Sequence, residues 1–280
     1  MHNNTITDKS ILSFRNYLCD NEKAALTIEK YIYELRSLNS FSQRRPITKQ
    51  LIVAYRQALQ VQYQARTINA KLSAINAYLT FVGLSDCKVK LLKVQHHAFM
   101  EEKHELSQDE YQRLLAAAKS LKNQRLYHLL LTLCSTGIRV SELRFITIEA
   151  VRMGRVEIRS KGKNRLVLLP KDLTKKLRQY SKCQNIVTGP IFCTRSGQAL
   201  DRSNICHDMK KLCQSAHVLP GKVFPHNLRH LFARSFYAIQ NNLAYLADIL
   251  GHSSIETTRI YVATSTKQHQ RILEKMRLVM

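Results

Sequence analysis

Tryptophan is absent, and glycine (8) and proline (5) are scarce in a chain of 280 residues. So little Gly and Pro excludes collagen-like and low-complexity architecture, and a hydrophobic fraction of 45% supplies enough apolar surface to exclude a disordered chain. No stretch approaches the ~18 consecutive apolar residues that a membrane span requires. The longest candidate, Leu126 to Cys134, is short and contains His128. The opening MHNNTITDKS also lacks the basic-then-apolar order of a secretory signal, so a soluble, cytoplasmic protein is expected.

The seven cysteines (19, 87, 134, 183, 193, 206 and 213) are odd in number, scattered and never arranged as CxxC. They read as reduced thiols that mostly fill cores. Cys206, His207 and Cys213 could be assembled into a zinc site only without any recognised ligand spacing. No phosphate loop of the GxxxxGK[ST] type is present. The acids of the second half are dispersed, with Glu101, Glu102, Asp109 and Glu110 at linker and helix-start positions. That argues against a nuclease that clusters carboxylates around two cations. Neither a metal nor a cofactor is expected.

Acidic residues are the scarcest relative to their counterparts: 20 Asp and Glu against 44 Lys and Arg, a net charge of +24. Residues 1–95 carry 14 basic and 6 acidic side chains, leaving 30 and 14 for the remainder. A basic tail on a neutral domain would give a lopsided division. Excess in both halves instead predicts a positive surface over the whole molecule, suited to a polyanion such as double-stranded DNA.

The length suggests two domains. Apolar residues at helical spacing predict four amphipathic helices within residues 7–83, marked by Ile11, Phe14 and Leu18; by Ile28, Ile32, Leu35 and Leu38; by Leu51, Ile52, Tyr55 and Leu59; and by Leu72, Ile75, Leu79 and Val82. Gly83 is the expected stop. The expected division is a helical domain over 1–90, a polar linker over 91–105 and a second domain over 106–280.

The second domain opens on a capping box at Ser107 and Glu110, and an apolar helix from Leu126 ends at Gly137. Between Arg155 and Pro170 the period becomes alternating, which predicts a β-hairpin with a cationic tip around Lys161. Helices are expected at 172–183, 203–217, 226–240, 243–250, 254–261 and 265–277. The fold class is mainly α, with a mixed α+β second domain carrying a small antiparallel sheet.

Several segments of this domain carry chemistry. Arg139 follows the Gly137 stop, with Glu142 three residues on. His226 and Arg229 share one helix face, and Pro225 fixes that helix start so that its positive end points where a phosphate would sit. Two arginines can grip phosphate oxygens with planar forks as five-coordinate phosphorus forms. Gly251 and His252 precede Tyr261 by nine residues from the histidine. Tyr237 and Tyr245 are expected on core-facing helices, and His230 in the core or behind the site.

In order and residue type, TGIRVSEL (136–143), the hairpin tip at Lys161, HNLRH (226–230), Gly251-His252 and Tyr261 resemble the tyrosine recombinase (phage integrase) family, including its Xer-like site-specific recombinases. The resemblance covers residues 106–280 at motif level and, more loosely, the helical domain before them. It implies a SAM-like four-helix core-binding domain joined to a catalytic domain of the DNA breaking-rejoining fold, the two forming a clamp around DNA.

The resemblance also implies roles: Arg139 and Arg229 as phosphate clamps, Glu142 as the acidic partner that orients the site, His226 as proton acceptor or hydrogen-bond donor, and His252 as a hydrogen-bond partner of the scissile phosphate. Tyr261 is then the nucleophile that forms a 3′-phosphotyrosyl bond. Lys161 is the general acid for the departing 5′-oxygen, although Lys163 could take that role. The implied activity is DNA strand transfer through a Holliday junction, for integration, excision, inversion or dimer resolution on a chromosome or mobile element. A type IB topoisomerase and a non-catalytic DNA-binding protein are the alternatives. Implied partners are DNA, a homodimer on one site, a homotetramer or a paralogous recombinase in the synapse, and no membrane, with nucleoid association in the cytoplasm. Unlike the long phage integrases, the sequence is not expected to carry a separate arm-binding domain before residue 7. The last segment carries an apolar stripe (Ile272, Leu273, Met276, Leu278) that either docks on a neighbouring protomer or packs on its own domain.

Overall fold

The computed structural model describes residues 4–94, 105–160, 163–194, 196–252 and 254–262. The chain divides into two compact units, Met1–His96 and His97–Met280. The expected helix 265–277 and its apolar stripe lie outside the described residues.

The first unit contains four helices: α1 (Asp8–Asp20), α2 (Ala25–Ser42), α3 (Lys49–Gln62) and α4 (Ala65–Phe81). Thr7 and Ser10 exchange hydrogen bonds in a capping box that starts α1, and Thr48 caps α3 through the Leu51 N–H. The predicted stripes face one another in a core containing Phe14, Leu35, Leu38, Ile52, Leu72, Ile75 and Leu79. Inside it Lys71 of α4 meets Glu34 of α2 at 2.7 Å, a buried ion pair that helps to fix which helix faces oppose.

The chain stays attached to α4 after Gly83. The Asn76 amide brackets the backbone of Val89 and the Asn69 amide that of Leu92, each giving one hydrogen bond and accepting another. Residues 88–92 thus belong to this unit, so a segment expected partly as linker begins as a strap. Weak hydrophobic periodicity hid this, because the attachment is made through backbone groups.

In the second unit α5 (Gln108–Ser120) opens on the Ser107 and Glu110 capping box, and α6 (Gln124–Thr136) ends where Gly137 turns left-handed at φ 64°. A 3-10 turn at Val140–Phe145 leads to α7 (Ile148–Met153), a single Thr147-capped turn and a half too short for periodicity to reveal. The antiparallel hairpin pairs β1 (Arg155–Ser160) with β2 (Lys163–Leu168), Val156 opposite Val167 and Ile158 opposite Arg165. Then come α8 (Lys171–Cys183), α9 (Arg202–Lys211), α10 (Cys213–Ala216), α11 (Pro225–Ile239), α12 (Leu243–Leu250) and α13 (Ile255–Val262).

Two expectations change. The helix expected over 203–217 is two, because the Leu212 N–H bonds to Met209 O three residues back and tightens the turn. Tyr245 does not face the core: it is 52% exposed, since α12 turns Leu246, Ala247 and Leu250 inward instead. The core is built on Leu114, Leu130, Leu133, Val151, Leu177, Met209 and Leu228, while Ala233, Leu246, Leu250 and Tyr261 form a smaller cluster beside it. Packing of α11 against α6, α12 and α13 joins the two clusters.

Candidate active site

Gly137 is demanded twice. Its left-handed φ suits glycine, and a Cβ there would lie 2.4 Å from the Phe232 ring of α11. The turn it permits buries Ile138 and presents Arg139 as the residue before the 3-10 turn. Glu142, three residues on and 2% exposed, accepts the Arg139 backbone N–H at 2.7 Å and its Nη1 at 3.0 Å. The same carboxylate accepts both terminal nitrogens of Arg165 at 2.9 and 2.8 Å. Burial opposes ionisation of Glu142, but the Arg165 fork, the Arg139 N–H and both guanidinium charges overcome it and hold its pKa below the usual carboxylate range.

Arg229, in the second turn of α11, is 1% exposed. Its Nη1 donates to Gly137 O, and its Nη2 to Leu250 O at 2.6 Å and His252 Nε2 at 2.9 Å. Gly137 caps α6, and Leu250 is the last residue of α12, which the left-handed Gly251 stops. One guanidinium therefore sits at the negative ends of two helices, which offset part of its desolvation without a carboxylate. Desolvation and the neighbouring Arg139 lower its pKa to about 10, so it stays a cation at neutral pH.

A guanidinium only donates, so His252 Nε2 accepts from Arg229 and Nδ1–H donates to Thr258 Oγ1 at 2.9 Å. The ring is neutral in this arrangement. Desolvation, then Arg229, Arg139 and Arg165, push its pKa down to about 4. Desolvation followed by Arg229, Arg202 and Arg139 likewise lowers that of His226. Nε2 of His226 lies 2.9 Å from the Tyr261 hydroxyl, and Tyr261 itself is 6% exposed. His230 stacks on the Tyr261 ring at 4.2 Å and meets His226 edge-on at 4.9 Å.

Arg139, Glu142, His226, Arg229, His252 and Tyr261 thus converge from four separate segments. A hollow of about 680 Å³ opens beside them, its polar lining made of Arg139, Arg144, Arg202, His226 and Arg229 with Ser141 and one acid, Asp201. Lys161 lies outside the described residues, and Lys163 pairs with Ser160 at the first position of β2. Among the described residues no three His, Cys, Asp or Glu side chains are grouped to hold a metal, Cys206, His207 and Cys213 included.

Sequence reasoning missed Arg165 and Thr258. A signal for Arg165 was available: it is in phase with the inward-facing Val167 and Leu169, so a charged residue stands on the apolar face of a strand. Thr258, fully buried, gave no comparable sign.

The chain is similar in sequence and fold to known proteins. Tyrosine recombinase XerA of Pyrococcus horikoshii is 26% identical over 284 residues, spanning 98% of this chain and 96% of that protein. Tyrosine recombinase XerD of Staphylococcus saprophyticus is 33% identical over 149 residues, 50% of each chain. The crystal structure of XerA recombinase matches with a TM-score of 0.55 and 26% identity over 98% of this chain and 100% of that one. A lambda integrase dimer bound to a COC′ core site shares the fold at a TM-score of 0.73 with 16% identity, over 93% of this chain and 78% of that one. The model of the phage integrase family matches residues 104–268, which span Arg139 through Tyr261, and the chain belongs to that family.

Proposed function

We propose that this chain is a site-specific DNA recombinase of the tyrosine type. The Tyr261 oxygen attacks a phosphodiester, the bond to the 5′-oxygen breaks, and a 3′-phosphotyrosyl link is left. The phenol proton passes to His226 Nε2, which is neutral and already 2.9 Å away. Arg139 and Arg229, with His252 beside them, stabilise charge on the non-bridging oxygens, a donor of this kind being worth ~3 kcal/mol in the transition state. The departing 5′-oxygen needs a proton, because an alkoxide leaves far less readily than a phenoxide with its pKa of about 10. Lys161 supplies it. The protein–DNA bond retains the energy of the broken linkage, so rejoining to a second strand needs no external energy source.

A single observation carries this reading: one buried phenol is held against a neutral imidazole within a nest of arginines, in a protein of net charge +24. Double-stranded DNA is the substrate. The lambda integrase structures are of a dimer on a core site and a tetramer on a Holliday junction, which supports assembly of this chain on DNA in the same numbers. Identical or paralogous protomers would fill those places, residues 1–90 forming the core-binding domain and 106–280 the catalytic domain. The DNA acted on would be cytoplasmic and nucleoid-associated, or that of a mobile element; no described helix is long and apolar enough to cross a membrane.

Genomic fragments selected by binding provide the test substrate. Nicked duplexes of the selected sequence should become covalently attached to the protein, and attachment should vanish in Tyr261→Phe. No adduct on any selected duplex would leave a non-catalytic DNA-binding protein. Efficient relaxation of plasmid lacking the selected site would indicate a topoisomerase. Lys161→Ala should cleave slowly and recover on a substrate with a sulfur 5′-leaving group, which needs no proton; absence of recovery would remove Lys161 from the acid role.

A further inference from the structure

Arg165 is a strand residue whose side chain is only 13% exposed. Its Nη1 and Nη2 donate to the two oxygens of Glu142 at 2.9 and 2.8 Å. Those oxygens also receive Arg139 through its Nη1 and its backbone N–H, so four donors converge on one carboxylate. On another side Arg165 lies against Gly251, where a Cβ would fall 2.7 Å from its Cδ and Nη1. A single side chain of β2 thereby connects the turn at Arg139 to the backbone just before His252.

Charge gives this arrangement its meaning. A buried Glu142 paired with Arg139 alone would cancel most of the field that Arg139 presents outward. With the Arg165 fork on the carboxylate, two cations share one anion, and the Arg139 side chain, 39% exposed, keeps surplus positive charge toward the hollow. Arg165 itself has both terminal nitrogens engaged by Glu142. We propose that Arg165 is a positioning residue for strand cleavage: it occupies and orients Glu142 so that Arg139 meets the scissile phosphate as a net cation in a fixed pose. This inference rests on the recombinase reading.

The full chain and nicked duplexes of the selected sequence provide the test. Arg165→Gln should slow adduct formation about tenfold to a hundredfold, as loss of an outer partner of a reactive group typically does. Adding Glu142→Gln, which removes the unbalanced carboxylate, should recover about tenfold, and in an Arg139→Ala background Arg165→Gln should cost less than about twofold more. A role confined to folding predicts equal losses in both backgrounds and no recovery from Glu142→Gln, and either result would overturn the proposal. Should Arg165→Gln fail to fold, Arg165→Lys, which keeps the charge and loses the fork, supports the same comparison.

A second readout needs no cleavage. The Glu142 carboxyl, followed by NMR, should titrate at higher pH in the variant, and an unmoved midpoint would refute the inference. Failure of the unmodified protein to form adducts would defeat the recombinase reading instead and leave that titration to decide the role of Arg165.

Discussion

The Tyr261 hydroxyl and His226 Nε2 stand 2.9 Å apart, although 35 residues separate them and they lie on different helices, α13 and α11. With His226 neutral, the phenol donates to it, so the bond that orients the proposed nucleophile would also be the path by which its proton leaves. His230, stacked beneath the phenol ring, restricts its tilt.

Tyr261→Phe keeps the ring stack and removes only the hydroxyl. DNA affinity should persist and covalent attachment should disappear. Stability should fall by about 1 kcal/mol, the net worth of one hydrogen bond. Denaturant unfolding and adduct gels on one preparation check both, and adducts surviving in the variant would place the nucleophile elsewhere.

Arg229→Lys preserves charge but cannot bond Gly137 O, Leu250 O and His252 together. Buried carbonyls left without donors cost about 1–3 kcal/mol each. The variant should therefore melt lower as well as cleave slowly, with no stability loss expected for Arg139→Lys on the same scale, because Arg139 is much more exposed. Equal melting temperatures for the two variants would show that Arg229 does not hold the helix ends.

Gly137→Ala meets both left-handed strain and the Phe232 ring, for a combined cost of about 2–4 kcal/mol. Gly154→Ala provides the control: its φ of 70° is similar, but a Cβ there meets nothing within 4 Å, so only the strain remains, about 1 kcal/mol. Urea midpoints for the two variants should separate, and coincident midpoints would mean that the Phe232 ring moves aside freely.

Acid should destabilise the catalytic unit through its histidines. His252 has its pKa lowered from 6.5 to about 4, so as pH falls the unfolded chain takes up the proton first. The contribution is fully present above about pH 6.5 and is lost as pH falls toward 4. His226 and His230 are shifted in the same direction. Unfolding free energies measured between pH 7 and 5 should decline, with a shallower slope in His252→Asn, and stability rising on acidification would contradict the neutral ring.

Much of this site was legible before the fold was known, for definite reasons. His226 and Arg229 announce themselves by a spacing that only a helix face satisfies, and Gly137 and Gly251 mark the stops from which Arg139 and His252 emerge. What the sequence hid was the depth of Arg229. Its partners lie 92 and 21 residues away and are backbone carbonyls, which have no residue identity to read. Thr258 gave no sign because it acts on the ring of His252 rather than on the reacting atoms, whereas Arg165 could have been found as a charge on the apolar face of β2. Within the first unit the helices follow from periodicity, but the Asn69 and Asn76 brackets depend on where the chain doubles back.

The meeting of two helix ends on Arg229 has a further result. Fractional charges compensate that cation incompletely, which leaves net positive charge at the junction where α6 and α12 terminate. A phosphate gripped there, as proposed above, would complete the balance and stabilise the same junction. The unit that carries Tyr261 would then be firmest with a strand in its grip.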